Sequence, residues 1–465
     1  MKYLACLLLA GVAVGQEIYE YRINETAADW RQIEELGQLP YGETIVRRLT
    51  IPPPDPTPEP DPPPTELTTE WLEATTLTGG RIARISHPTS RVIAHINSGG
   101  WQAFSADSKW LSVFVMDPGQ WYAVHVETLE LVPLMPRSMR SGNVNINVIW
   151  APDGHDYFRI NAQNLERWTV GADSPSVSVP LPDATITHPV SRDATRPQYR
   201  ASIGSGRTNP ALLIYENTSG EHGVLGFNPV TLEFRPVWWV RDVLIEANKR
   251  GTTTPAVAVA VRENAPNLGR SHNTVTALGG YMIQPQADQG RPHYVDGKTA
   301  LVIEPPPDDV GNRESHHAFR GARATHGDNG RGSGVGVLRD WTLPPTMAYA
   351  YRDRLIDKTP LMAHFSHNNE NAIAYHYADI GHDTIVTAWI DWKSPLAERD
   401  TVLATVRWRD GRVTPQIEGI KQNHGAGNDF YAVIRPSIAP DGRHAQYHDQ
   451  TGPDPLAVYL FEVKP

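Results

Sequence analysis

Seven residues, Trp101, Asn147, Tyr199, Asn273, His317, His364 and Arg435, share one position: each stands four places ahead of a turn that ends a short strand. Together they offer two aromatic faces, two amides, two imidazoles and a guanidinium. A guanidinium neutralises a carboxylate or phosphate. An imidazole that titrates near neutrality takes up and returns a proton. A slip of one residue exchanges His317 for His316 and Asn273 for His272, because neighbours on a strand face opposite sides. His316, His317 and His364 would also supply three nitrogens to a divalent metal with one open position.

The elements that must hold these residues are β-hairpins. Phe104 to Trp110, Trp150 to Asp156 and Ile438 to His444 each read as strand, tight Asp-containing turn, strand. Four looser copies fit the gaps between them. Tyr199–Ser202 leads to Leu212–Tyr215, and Asn273–Thr276 leads to Tyr281–Ile283. His317–Arg320 enters a Gly-rich turn that ends near Val335, and His364–His367 leads to Ala372–Tyr375. From Trp101 to Arg435 the mean repeat is about 56 residues, somewhat more than one propeller blade needs. The gaps after Tyr199 and His364 are the longer ones and should carry inserted loops, with Trp238–Leu244 and Arg399–Arg412 inside them.

Outside the repeats, the chain reads as three short regions. Residues 1–15 combine Lys2, the apolar run Leu4–Val14 and small residues at Ala13 and Gly15, which is the pattern of a secretory signal. That pattern implies a secreted or periplasmic protein. No stretch approaches the roughly 18 apolar residues of a membrane helix, so no integral membrane segment is expected. Residues 16–51 form a short segment in which Ala27–Leu36 reads as a helix capped by Thr26. This segment is a docking tail for a protein partner if it has a function of its own. Residues 52–67 are a proline-rich linker, with nine prolines in the thirteen residues Pro52–Pro64, so this stretch is expected to be extended polyproline or disordered spacer. The globular part is then 68–465.

Composition excludes several classes of function. The 52 acidic side chains outnumber the 42 basic ones, for a net charge of −10, and no general nucleic-acid partner is expected. Cys6 is the only cysteine, which leaves residues 16–465 without disulfides or thiolate ligands. The run Gly330–Gly336 lacks the Lys-Ser/Thr ending of a phosphate loop, and no Gly-x-Ser-x-Gly elbow or His-Glu-x-x-His helix occurs.

The three clear hairpins resemble the aromatic-Ser-Pro-Asp-Gly-Lys hairpin of TolB-type β-propeller repeats. That resemblance implies an all-β, seven-bladed β-propeller with a short N-terminal extension, its channel lined by the first strand of each blade. With the residues above at one channel level, the chain is similar to propeller-type polysaccharide lyases, the oligogalacturonate lyase and ulvan lyase group. The likeness implies an anionic polysaccharide ligand and, if the protein is an enzyme, cleavage of uronate linkages by β-elimination. Arg435 would neutralise the substrate carboxylate and His317 or His364 would take the adjacent proton. Tyr199 would protonate the leaving oxygen, and Trp101, Asn147, Asn273 and His272 would hold the sugar. A divalent metal is a further expectation of the likeness. The rival readings are a non-catalytic binding or scaffolding propeller and, more remotely, a sialidase-like site at Tyr199, Arg196 and Arg200.

Overall fold

The computed structural model describes residues 18–23, 31–33, 44–49, 67–94, 103–117, 119–134, 149–151, 154, 156–161, 164–181, 200–202, 211–216, 221–236, 238–275, 281–288, 293–295, 301–302, 319–320, 323–327, 336–340, 353–355, 357, 359–365, 372–381, 383–391, 400–421, 436–449 and 455–464. The chain divides into two compact units, Met1–Thr65 and Glu66–Pro465.

In the first unit, Ile18–Ile23 pairs antiparallel with Arg31–Ile33 on one side and with Thr44–Leu49 on the other. The helix expected over Ala27–Leu36 is therefore interrupted by a strand at Arg31–Ile33. An isolated ten-residue helix is marginal in water. The β-branched and aromatic residues of IYEYRI and TIVRRL have a composition that favours strands.

Among the described residues, the second unit holds seven antiparallel sheets. The first is Val92–Ile93, Trp110–Val115, Gln120–His125 and Leu131–Pro133. The second is Ile149–Trp150, Asp156–Asn161, Asn164–Thr169 and Val177–Pro180. The third is Arg200–Ser202, Ala211–Glu216, His222–Phe227 and Trp238–Trp239, and the fourth is Ser271–Val275, Tyr281–Pro285 and His293–Val295. The fifth is Phe319–Arg320, Arg323–Gly327, Gly336–Asp340 and Asp353–Leu355. The sixth is Ala372–Gly381, Thr384–Asp391, Asp400–Arg407 and Val413–Lys421. In these six, strands pair in chain order. The seventh departs from that rule: Ser437–Ile438, His444–Asp449 and Ala457–Glu462 are followed by Arg81–Ser86 and then Thr68–Thr75. This sheet joins the two ends of the unit, with Val458 opposite Ile85 and Leu460 opposite Ala83.

The core lies between neighbouring sheets. Leu111, Val113 and Val124 of the first sheet pack with Ile85, Val458 and Leu460 of the seventh. Phe114 and Trp121 pack with Trp150, Tyr157 and Trp168 of the second sheet. Phe158 of the second meets Phe227 of the third edge-on, with ring centroids 5.2 Å apart. Strands buried on both faces read as continuous apolar runs, as in WLSVFV and AVYLFE.

The insertion expected after Tyr199 is present, but it is helical. Helix α1 (Val240–Lys249) and helix α2 (Pro255–Arg262) follow the third sheet and pack Val243, Leu244 and Val257 against Ile283 and Val295 of the fourth. Thr254 caps α2 by accepting the Val257 amide hydrogen at 3.3 Å, and Pro255 occupies the first turn, where its missing N–H costs nothing. Arg399–Arg412 is not an insertion. Most of it is the third strand of the sixth sheet, Asp400–Arg407, together with its turn.

Candidate functional site

The hairpin turns that set the register of the site are built alike. In the first sheet, Asp107 accepts hydrogen bonds at Oδ1 from the Ser105 hydroxyl (2.6 Å) and the Lys109 amide (3.2 Å), and the Ser105 hydroxyl oxygen accepts from the Trp110 amide (3.0 Å). In the seventh, Asp441 accepts from the Arg443 amide at 2.9 Å. The residue after each turn aspartate is left-handed: Ser108, Gly154 and Gly442 have φ of 62°, 85° and 75°. Glycine takes that conformation without strain, which explains the Asp-Gly pair in two of the three turns. The turns also touch one another, since the Asp441 amide donates to the Ser108 hydroxyl across sheets at 3.0 Å.

The looser copies fare unevenly. Arg200–Ser202 pairs with Leu212–Ile214, and Ser271–Val275 pairs with Tyr281–Pro285. Asn273 and His272 therefore lie on a first strand, opposite Ile283 and Gln284. In the fifth sheet Arg320 pairs with Arg323, so only two residues separate its first two strands. The Gly-rich run instead joins the second and third strands, ahead of Gly336. His317 keeps its place four residues ahead of that two-residue link in sequence. Trp101, Asn147, Tyr199, His316, His317 and Arg435 lie outside the described residues.

His364 is the correction. It ends a 3-10 helix, Thr359–His364, that packs beside Val413–Lys421, the outermost strand of the sixth sheet. Its Nδ1 lies 2.7 Å from Glu418 Oε2. The buried anchor of this segment is Leu361, which joins Ile385, Trp389 and Val402 in the core. The first strand of the sixth sheet is Ala372–Gly381, which the sequence suggests as a second strand, and its last residue Gly381 pairs with Thr384. It runs beside the first strands of the fifth and seventh sheets. Tyr377 and Ala378 are its residues nearest the shared position, at a bulge between Tyr377 and Ile380. The signal for this strand is Ile380-Gly381-His382-Asp383, a Gly- and Asp-containing turn pattern ahead of the β-branched run Thr384–Thr387. Of the three imidazoles His316, His317 and His364, only His364 is among the described residues, and it sits beside the outermost strand of the sixth sheet.

A second polar group is buried within the second sheet. Arg159, 3% exposed, donates from Nε to Glu166 Oε2 at 2.8 Å, and the Trp168 indole donates to the same oxygen at 2.8 Å. The guanidinium lies 4.8 Å from the Trp168 ring centroid. Burial pushes the neighbouring Tyr157 hydroxyl well above its usual pKa, with Glu166 adding to the effect and Arg159 opposing it. Tyr157 is therefore a neutral packing residue at physiological pH.

No protein-family model matches the sequence, and no curated protein matches it. Among solved structures, the chain is similar to an oligogalacturonate lyase from Vibrio parahaemolyticus, at 12% identity and a TM-score of 0.53, over 86% of this chain and 97% of that one. It also aligns with the Cps50 (Swd1) β-propeller domain of Myceliophteria thermophila, at 11% identity and a TM-score of 0.45, over 81% of this chain and 100% of that one. The larger unit is a β-propeller, built mostly of strands.

Proposed function

We propose that the seven sheets are the blades of one seven-bladed propeller, closed by the sheet that joins residues 437–462 to 68–86, and that its channel mouth binds an anionic polysaccharide. The observation that carries the reading is register. Tyr199 directly precedes the first strand of the third sheet, and His317 and Arg435 stand two residues ahead of those of the fifth and seventh. Each stands four places ahead of its turn in sequence, and first strands line the channel of a propeller. Support for the ligand class comes from the likeness to an oligogalacturonate lyase. The signal-like residues 1–15 agree with export toward such a substrate, and the segment 16–51 is left for a protein partner.

On this reading the chemistry is β-elimination. Arg435 pairs with the uronate carboxylate and withdraws charge from it, so the proton on the adjacent carbon becomes acidic. His317 accepts that proton. The C–H electron pair becomes the new C=C bond, and the bond to the glycosidic oxygen breaks as Tyr199 donates its proton to that oxygen. Trp101 stacks on a sugar face, while Asn147 and Asn273, with His272 beside it, donate hydrogen bonds. No step is assigned to a metal. The alternative, binding without cleavage, is favoured by the place of His364, beside the outermost strand of the sixth sheet. The ultraviolet absorbance of unsaturated uronate separates the two. Polygalacturonate, ulvan, alginate and glycosaminoglycans form the panel. A rise abolished in both His317→Ala and Tyr199→Phe supports elimination, and no rise on any substrate leaves the binding reading.

A further inference from the structure

Where the seventh sheet meets the first, three side chains converge that the reading above does not use. His444 opens its strand opposite Glu462, which ends the neighbouring one. Glu127 comes from the turn that follows Gln120–His125 in the first sheet. One ligand atom of each lies within 4.8 Å of the other two. His444 is only 5% exposed, and neither of its ring nitrogens has a hydrogen-bond partner. Its Nε2 faces Glu127 Oε1 at 3.5 Å without the alignment of a hydrogen bond. Burying an imidazole with both nitrogens unsatisfied is costly, so this arrangement calls for a further partner.

We propose that Glu127, His444 and Glu462 form a divalent-metal site, of zinc preference, that ties the closing sheet to the first. One imidazole nitrogen with two carboxylates is a mixed donor set suited to zinc, whereas calcium and magnesium prefer oxygen alone. Tetrahedral ligands at zinc distances stand about 3.3 Å apart, close to the 3.5 Å between Nε2 and Oε1. Glu127 is 56% exposed, which leaves the entry path and the fourth position to water. Arg81 also engages both carboxylates: its Nη2 lies 3.1 Å from Glu127 Oε2 and 2.6 Å from Glu462 Oε1, and its backbone amide donates to Glu462 Oε2 at 3.0 Å. It holds both glutamates in place when no ion is bound and sets the charge an ion must compete with. Lys464, 3.9 Å from Glu462 Oε2, adds to that competition.

The test uses the purified chain, stripped with a chelator and titrated with Co2+ as a spectroscopic probe and then with Zn2+. One ion per chain, the visible bands of tetrahedral Co2+ displaced by Zn2+, and a raised melting temperature are expected. Glu127→Gln sits on an exposed turn and keeps the fold, which circular dichroism verifies. It should bind at least about tenfold more weakly, since even changes behind a ligand cost 10–100-fold. Absence of a bound ion in the wild-type chain, or equal affinity in Glu127→Gln, overturns the proposal.

Discussion

A Cβ on Gly154 would stand 2.6 Å from Asp107 Cγ, so the turn of one sheet docks on the turn aspartate of the sheet before it. The Asp-Gly pairs are thus joints between blades as well as bends within them. Asp107 cannot easily retreat, because Ser105 and Lys109 hold its Oδ1. Gly154→Ala therefore combines a left-handed backbone cost with an overlap, and the strain alone is of order 1–3 kcal/mol. Gly79→Ala is the control: its φ is 80°, but nothing lies within 4 Å of the added carbon. Urea unfolding should show a larger loss for Gly154→Ala than for Gly79→Ala.

The sheet that joins residues 437–462 to 68–86 should weigh heavily in stability. Phe461 is fully buried, pairs with Ala445 and Ile82 on its two sides, and lies 6.1 Å from Tyr447 between ring centroids. Phe461→Ala should cost about 3–5 kcal/mol, read as a lower guanidinium midpoint.

The Arg159–Glu166 pair predicts an asymmetry. Glu166→Ala leaves a buried guanidinium without that carboxylate and removes the acceptor of the Trp168 indole, a loss of about 3–5 kcal/mol. Replacing both partners, as Arg159→Met with Glu166→Leu, should recover most of it. Denaturant midpoints of the single and double variants check this.

Much of this fold was legible in the sequence, and what was missed has physical reasons. The three turns with aspartate and a left-handed neighbour were readable, because a turn's chemistry is local. His364 was misplaced because His364–His367 followed by Asn368–Asn371 imitates a strand and a turn, while the burial of Leu361 that holds the segment as a 3-10 helix is a long-range effect. The displaced register then turned a true strand, Asp400–Arg407, into an apparent insertion. The three-stranded sheet of the first unit was missed for a similar reason: its pairing of Tyr21 with Arg31 and Val46 leaves no mark within either strand. The Glu127, His444 and Glu462 group spans residues 127 to 462 and carries no spacing signal at all.

Acid should loosen a turn of the sixth sheet in a defined way. The Arg407 guanidinium, hydrogen-bonded to Asp410, holds that carboxyl down to about 2, with the Arg412 amide assisting. A carboxyl depressed in the folded state stabilises fully above its unfolded value of 3.8, and this contribution is lost as pH falls from there through about 2. Carboxyl-carbon NMR titration should place the Asp410 midpoint near that value. In Arg407→Gln the midpoint should move up toward that of an ordinary aspartate.

On the proposed function, an anionic saccharide binds on the first-strand side of the sheets and not at the outer rim. Isothermal titration of a uronate oligosaccharide into wild type, Arg435→Ala and His364→Ala tests it most directly. Loss of a cation that pairs with the ligand carboxylate should weaken binding by about 2 kcal/mol or more, roughly thirtyfold, while His364→Ala should bind as wild type does. Undiminished affinity in Arg435→Ala, with loss in His364→Ala, would contradict the account and move the site to the edge of the sixth sheet.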